Sequence, residues 1–114
     1  MSSRQPGPKY PIARVRELAS EGTYRVEGSE NQHFVSPKEA RDFAKARLCA
    51  LENAQFAKCE RLTNDWADVY GLSVDGCGWY LKLIVFEEDD PRVLVVSLHP
   101  LEHRLNTRGG VVEP

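Results

Sequence analysis

Apolar residues recur at helical spacing in the first half of the chain and at alternate positions in the second, so the period changes once, near Asp65. Ile12, Val15, Leu18 and Ala19 share one face of a helix predicted over residues 11–21, with Pro11 at its first position and Gly22 as its stop. Thr23 to Val26 alternates briefly and predicts a short extended piece, followed by a loop over residues 28–34. The second helix has the clearest local signal. Ser36-Pro-Lys-Glu39 is a capping box, in which the serine accepts from an orphan amide while Glu39 reaches back. Ala40, Phe43, Ala44, Leu48 and Leu51 then form an apolar stripe. Asn53 interrupts it and is expected to cap a third, short helix containing Phe56, Lys58 and Arg61.

Beyond Asp65 three runs read as strands: residues 65–70, 79–86 and 93–100. Asp75 to Gly78 is a glycine-rich hairpin signal, and Glu87 to Pro91 is a second turn. Short connections favour antiparallel neighbours. The expected fold class is α+β, with two to three N-terminal helices packed on a small antiparallel sheet of three strands. Residues 9–105 form one domain, preceded by a disordered lead-in over residues 1–8 and followed by a loose tail over residues 106–114, where Val111 and Val112 can add an edge strand. Trp66 and Trp79 are expected to anchor the core.

The net charge of −2 is unevenly spread. Residues 1–61 hold 11 Lys/Arg against 8 Asp/Glu, and residues 62–114 hold 4 against 9, with four of those acids in the single turn Glu87 to Asp90. A pervasive basic footprint is excluded, while a local cationic surface is not. No apolar run approaches the roughly 20 residues that cross a bilayer, and the first residues lack a secretory pattern, so a cytoplasmic protein without membrane contact is expected. Three cysteines without Cys-x-x-Cys spacing argue against a disulfide framework. Cys49 is expected as a buried thiol on its helix, and Cys77 as an exposed one in a turn.

In the run 79–86, Tyr80 and Lys82 share one parity and point to the same side. In the run 93–100, His99 closes the strand at Pro100. Taken singly these are a half-buried aromatic, a solvated charge and a terminal polar residue. Together on one face they describe a site that holds a polyanion and moves protons on it. His99 and His103 do not share a helix, because Pro100 follows a strand, so no metal site is expected. No phosphate-cradling loop, nucleophile triad or dinucleotide fingerprint is present, and no cofactor is expected.

The order of segments resembles the MqsR-like toxins of the RelE-like superfamily, small mRNA-cutting ribonucleases of toxin–antitoxin pairs. The resemblance is carried by Tyr10-Pro-Ile-Ala-Arg-Val-Arg-Glu-Leu, by Leu51 to Lys58, by Trp66-Ala-Asp-Val-Tyr70, by Tyr80-Leu-Lys-Leu and by Val95-Val-Ser-Leu-His99. It spans most of residues 9–100. It implies catalytic roles for Lys58 and Tyr80, and places His99 where the family has a catalytic lysine. Ala67 stands in place of a glutamine that the family uses, and Ala57 in place of a tyrosine.

The implied chemistry is metal-independent cleavage of mRNA by its own 2′-hydroxyl, which needs a base, an acid and cations near the phosphorane. His99 would transfer a proton, since unperturbed histidine titrates at ~6.5. Tyr80 would orient or donate, and Lys58 would stabilise charge. Arg61, Lys82, His103 and Arg104 would contact substrate. The partner would be a cognate antitoxin, docking on an edge left open by the three-stranded sheet. The alternative is a catalytically silent RNA- or protein-binding module on the same fold, which Ala67 and the acidic second half favour.

Overall fold

The computed structural model describes residues 7–27 and 33–114, and more of them lie in strands than in helices. In chain order the elements are α1 (Ile12–Ser20), β1 (Tyr24–Val26), α2 (Pro37–Cys49), β2 (Phe56–Arg61), β3 (Trp66–Val74), β4 (Cys77–Phe86), β5 (Arg92–Pro100), β6 (Leu105–Thr107) and β7 (Gly110–Val112). A five-stranded sheet has the order β1-β5-β4-β3-β2, and β6 and β7 form a separate pair. Most of the lead-in, residues 1–6, and most of the loop expected over residues 28–34 lie outside the described residues.

The expected fold class is corrected in three respects. The sheet is mixed and five-stranded, because β1 runs parallel to β5 while its other pairings are antiparallel. The described helices are two, and α2 follows the first strand instead of preceding the sheet. The third helix does not form. Asn53 opens only a single 3-10 turn, Asn53–Gln55, held where the Glu52 amide donates to Gln55 Oε1 at 2.9 Å. Phe56 then turns extended, and residues 56–61 pair with β3. Both edges of the expected meander are therefore occupied, one by β1 and the other by β2.

The second helix forms as its cap requires: Ser36 accepts from the Glu39 amide at 3.1 Å, and Glu39 Oε1 accepts from the Val35 amide at 2.7 Å. Its apolar stripe and that of α1 cover one face of the sheet. Val15, Leu18, Ala44, Leu48, Phe56, Tyr70, Leu81, Leu83, Val93 and Leu98 form the core between them. Trp79 joins this side, 4.6 Å from Phe43 and 5.7 Å from Phe34 between ring centroids, whereas Trp66 is 41% exposed at the sheet's end. Cys49 is exposed, not buried, because it ends α2.

Asp68 is fully buried and fixes the segment before α1. Its two carboxylate oxygens accept from the backbone amides of Lys9 and Tyr10, each at 2.9 Å, and from the Cys59 thiol at 3.2 Å. The Tyr10 hydroxyl donates to the Trp66 carbonyl at 2.6 Å, and burial with the Asp68 charge pushes it up to about 12, so it remains a donor.

The tail is structured. The β6–β7 hairpin lies on the other face of the sheet, where Leu105, Thr107 and Val112 close on Gly71. Its turn is pinned to the start of β2, with Arg108 donating to the Phe56 carbonyl at 2.9 Å and Gly109 to that of Ala54 at 2.7 Å. The β3 strand is consequently buried along most of its length on both faces.

Candidate active site

Side chains alternate across a sheet, so register decides which groups meet. Tyr80 stands opposite His99, and Lys82 opposite both Ser97 and Val69, which in turn faces Lys58. All of these occupy the face away from the helices. Tyr80 and His99 stack, with ring centroids 4.9 Å apart and planes 7° from parallel. His99 Nδ1 lies 2.9 Å from the Pro100 carbonyl. A carbonyl oxygen only accepts, so Nδ1 carries the proton of this contact, and Nε2 is not engaged by it.

Beside the stack opens a pocket of about 210 Å³, lined by Tyr80, His99 and the crossing segment from Leu101 through Glu102, His103 and Arg104 to Leu105. The structure thus brings four of the expected residues, Tyr80, His99, His103 and Arg104, to one cavity. The imidazole of His33 also approaches, its centroid 6.2 Å from that of His99, although the sequence placed it in an isolated loop. Among the described residues no group of three or more His, Cys, Asp or Glu is arranged to hold a metal ion.

Lys82 extends the cationic row. Its Nζ stands 5.8 Å from the Tyr80 ring centroid and 2.6 Å from Glu60 Oε1, with the lysine side chain only 16% exposed. Burial would lower the ammonium's affinity for its proton, but the Glu60 carboxylate and the Tyr80 hydroxyl outweigh it and raise the value. Burial likewise raises Tyr80, against the pull of Lys82 and with the help of Glu60. Both groups therefore hold their protons at neutral pH and act as donors.

Lys58 is exposed on the same face, two strands from Lys82 and hence about 10 Å away at the backbone. Arg61 is not brought in. It pairs with Trp66 on the opposite parity, its guanidinium 5.4 Å from the indole centroid. A β-bulge between Lys82 and Leu83 re-aims the strand next to the site.

Glu60 is the member of this row that sequence reasoning missed. Reading residues 56–61 as a helix hid the alternation that places Glu60 beside Lys58. Read as a strand, the same six residues set both on one face.

A larger concavity of about 530 Å³ lies at the β4–β5 turn, but Glu87, Glu88 and Asp89 line it with Arg92. Three carboxylates at its rim make it an acidic surface, whereas histidines and an arginine line the smaller pocket. No helix among the described residues is long and apolar enough to cross a membrane. No protein-family model and no curated protein matches the chain.

Proposed function

We propose that this chain is an endoribonuclease that cuts mRNA by attack of the RNA's own 2′-hydroxyl, and that it acts as the toxin of a pair held in check by a cognate antitoxin. The observation that carries the reading is the Tyr80–His99 stack at the mouth of a pocket walled by His103 and Arg104. An imidazole with one nitrogen anchored, on a residue that lines a cavity, suits proton transfer to an alkoxide. Lys82 and the Tyr80 hydroxyl supply donors to the non-bridging oxygens. The resemblance of residues 51–58, 66–70 and 80–83 to the MqsR-like toxins points the same way.

The test is cleavage of a mixed RNA by the purified chain, with DNA of the same sequence as control. Fragments ending in 2′,3′-cyclic phosphate are expected, DNA stays intact, and His99→Ala slows cleavage by roughly 100- to 10,000-fold. Expression without a partner arrests growth, and His99→Ala relieves the arrest. Intact RNA together with harmless expression would favour the second reading, a silent binding module. Two observations speak for that reading: Ala67 is fully buried and offers no polar group, and Glu60 already neutralises Lys82.

A further inference from the structure

The segment that walls the pocket carries a carboxylate, Glu102, for which the nuclease reading has no use. We infer that the pocket is a nucleobase subsite, where Glu102 and Arg104 read the edge of a base and select one with an exocyclic amino group over uracil. The inference rests on the nuclease reading for the neighbouring phosphate, and adds to it the recognition of the adjoining base.

Size is the first argument. Cavities for drug-sized ligands span roughly 300–1,000 Å³. One of about 210 Å³ takes a single ring system and leaves the attached sugar and phosphate outside.

The lining is the second. Tyr80 and His99 contribute a stacked pair of rings, and Leu101 and Leu105 are apolar. Unstacked bases of single-stranded RNA are held on aromatic side chains and hydrogen-bonded along their edges. Glu102, His103 and Arg104 complete the wall. A carboxylate only accepts and a guanidinium only donates. The carboxylate repels a bare anion, and both groups are wasted on a purely apolar guest. A base, with donors and acceptors along one edge, uses both.

The wall is held from its two ends. Leu101 is buried, and its amide donates to the Gly78 carbonyl at 2.9 Å. Leu105 pairs with Val112 in the hairpin and closes on Gly71. Between these anchors Glu102, His103 and Arg104 are exposed. Arg104 meets Glu113 only at 3.8 Å, and Glu102 is engaged by no cation among the described residues. Polar tips on a fixed support are what recognition requires. Residues 101–105 also lie beyond the stretch that resembles the MqsR-like toxins, so this wall is a feature of the chain itself.

Complementarity sets the choice of base. Adenine, cytosine and guanine each carry an exocyclic amine that donates to a carboxylate, with an acceptor beside it for Arg104. Uracil has no such amine and flanks its one N–H with two carbonyls. Glu102 would face a carbonyl oxygen, so uracil is excluded by repulsion as well as by a missing bond. Tyr80 lines the pocket and has the Lys82 ammonium 5.8 Å from its ring, which sets these two donors beside the base, where the phosphate follows.

The experiment follows the backbone amide resonances of the full chain during titration with the 5′-monophosphates of adenosine, guanosine, cytidine and uridine, and with inorganic phosphate. Wild type, Glu102→Gln and Arg104→Ala are compared. Expected for wild type are shifts at residues 101–105, Tyr80 and His99, with uridine binding roughly 10- to 100-fold more weakly than the best of the other three. Glu102→Gln should narrow that gap, because a carboxamide donates as well as accepts. Arg104→Ala should weaken the amine-bearing nucleotides. Equal affinity for all four, the same shifts with inorganic phosphate alone, or shifts confined to other residues would each overturn the subsite. Cleavage mapping separates the two proposals. Wild type should cut beside an amine-bearing base, and Glu102→Gln should admit uridine there. Active wild type whose sites are unchanged in Glu102→Gln sinks the subsite alone. Selective nucleotide binding by a chain that cuts no RNA sinks the nuclease reading alone, and neither binding nor cutting sinks both.

Discussion

His99 and Tyr80 are direct cross-strand neighbours whose rings lie nearly parallel, so each holds the other's rotamer. An aromatic pair of this kind contributes about 0.5–1.5 kcal/mol beyond the area it buries. The imidazole is braced by the phenol ring on one side and by the Pro100 carbonyl at Nδ1. Under the proposed function, that bracing would preorganise the proton donor before RNA arrives.

Ring and hydroxyl of Tyr80 should separate cleanly. Tyr80→Phe keeps the stack, so urea unfolding should shift by less than about 0.5 kcal/mol, while RNA cleavage falls because a donor is gone. Tyr80→Ala removes the stack as well and should cost about 1 kcal/mol or more in the same titration. Equal stability of the two variants would show that the stack contributes nothing.

The Glu60–Lys82 pair should stabilise the fold only between acid and alkaline limits. Glu60 is depressed, so its contribution is present above the unfolded glutamate value of about 4.3 and is lost as pH falls through its lower folded value. Lys82 is raised, so its contribution is full below the unfolded lysine value of about 10.4 and is lost as pH rises through its higher folded value. With Glu60 36% exposed, solvent screening limits the pair to about 1 kcal/mol. Thermal melts of wild type and Glu60→Gln should differ by a constant amount from about pH 5 to pH 10 and converge as pH falls through the lowered Glu60 value. A gap that does not narrow on acidification would refute the linkage.

How much of this was legible follows from where each signal resides. The second helix, the β3–β4–β5 meander and the shared side of Tyr80 and His99 are local or period-two features, and they read directly. Phe56 to Arg61 did not. As an edge strand it buries little beyond Phe56, and its bulge breaks the alternation there, so no period-two pattern marks it as a strand. That single misreading concealed Glu60. The pairing of Tyr24–Val26 with Val93–Val95 joins distant parts of the chain through three residues, and no local pattern encodes it. The role of Asp68 as an anchor for residues 9 and 10 was equally invisible, because both donors are backbone amides.

That anchor should be sensitive to a single atom. Asp68 offers acceptors only, whereas Asp68→Asn replaces one of them with a donor that must face a backbone N–H. Leaving a buried amide unpaired costs about 1–3 kcal/mol. Urea titration should show a loss in that range, and the amides of Lys9 and Tyr10 should lose their protection from hydrogen exchange ahead of the core. Unchanged protection at both amides would remove Asp68 from this role.

The last prediction concerns Gly78, where the C-terminal segment meets β4. A Cβ there would stand 2.1 Å from the Glu113 carbonyl oxygen and 2.7 Å from Leu101 Cδ1. The first contact is with backbone and cannot be relieved by a rotamer change, so Gly78→Ala must push the chain end off the sheet. The expected cost is about 1–3 kcal/mol, as for other overpacked sites. Leu101 also begins the segment that walls the pocket, so the displacement reaches the site as well. Gly76→Ala provides the control: no atom lies within 4 Å of its Cβ position, and its φ of +83° confines the penalty to the turn. Gly78→Ala should therefore lower both Tm and RNA cleavage, whereas Gly76→Ala lowers Tm and leaves the cleavage rate of the folded chain intact. If both variants cleave at the wild-type rate, the 101–105 wall takes no part in holding substrate.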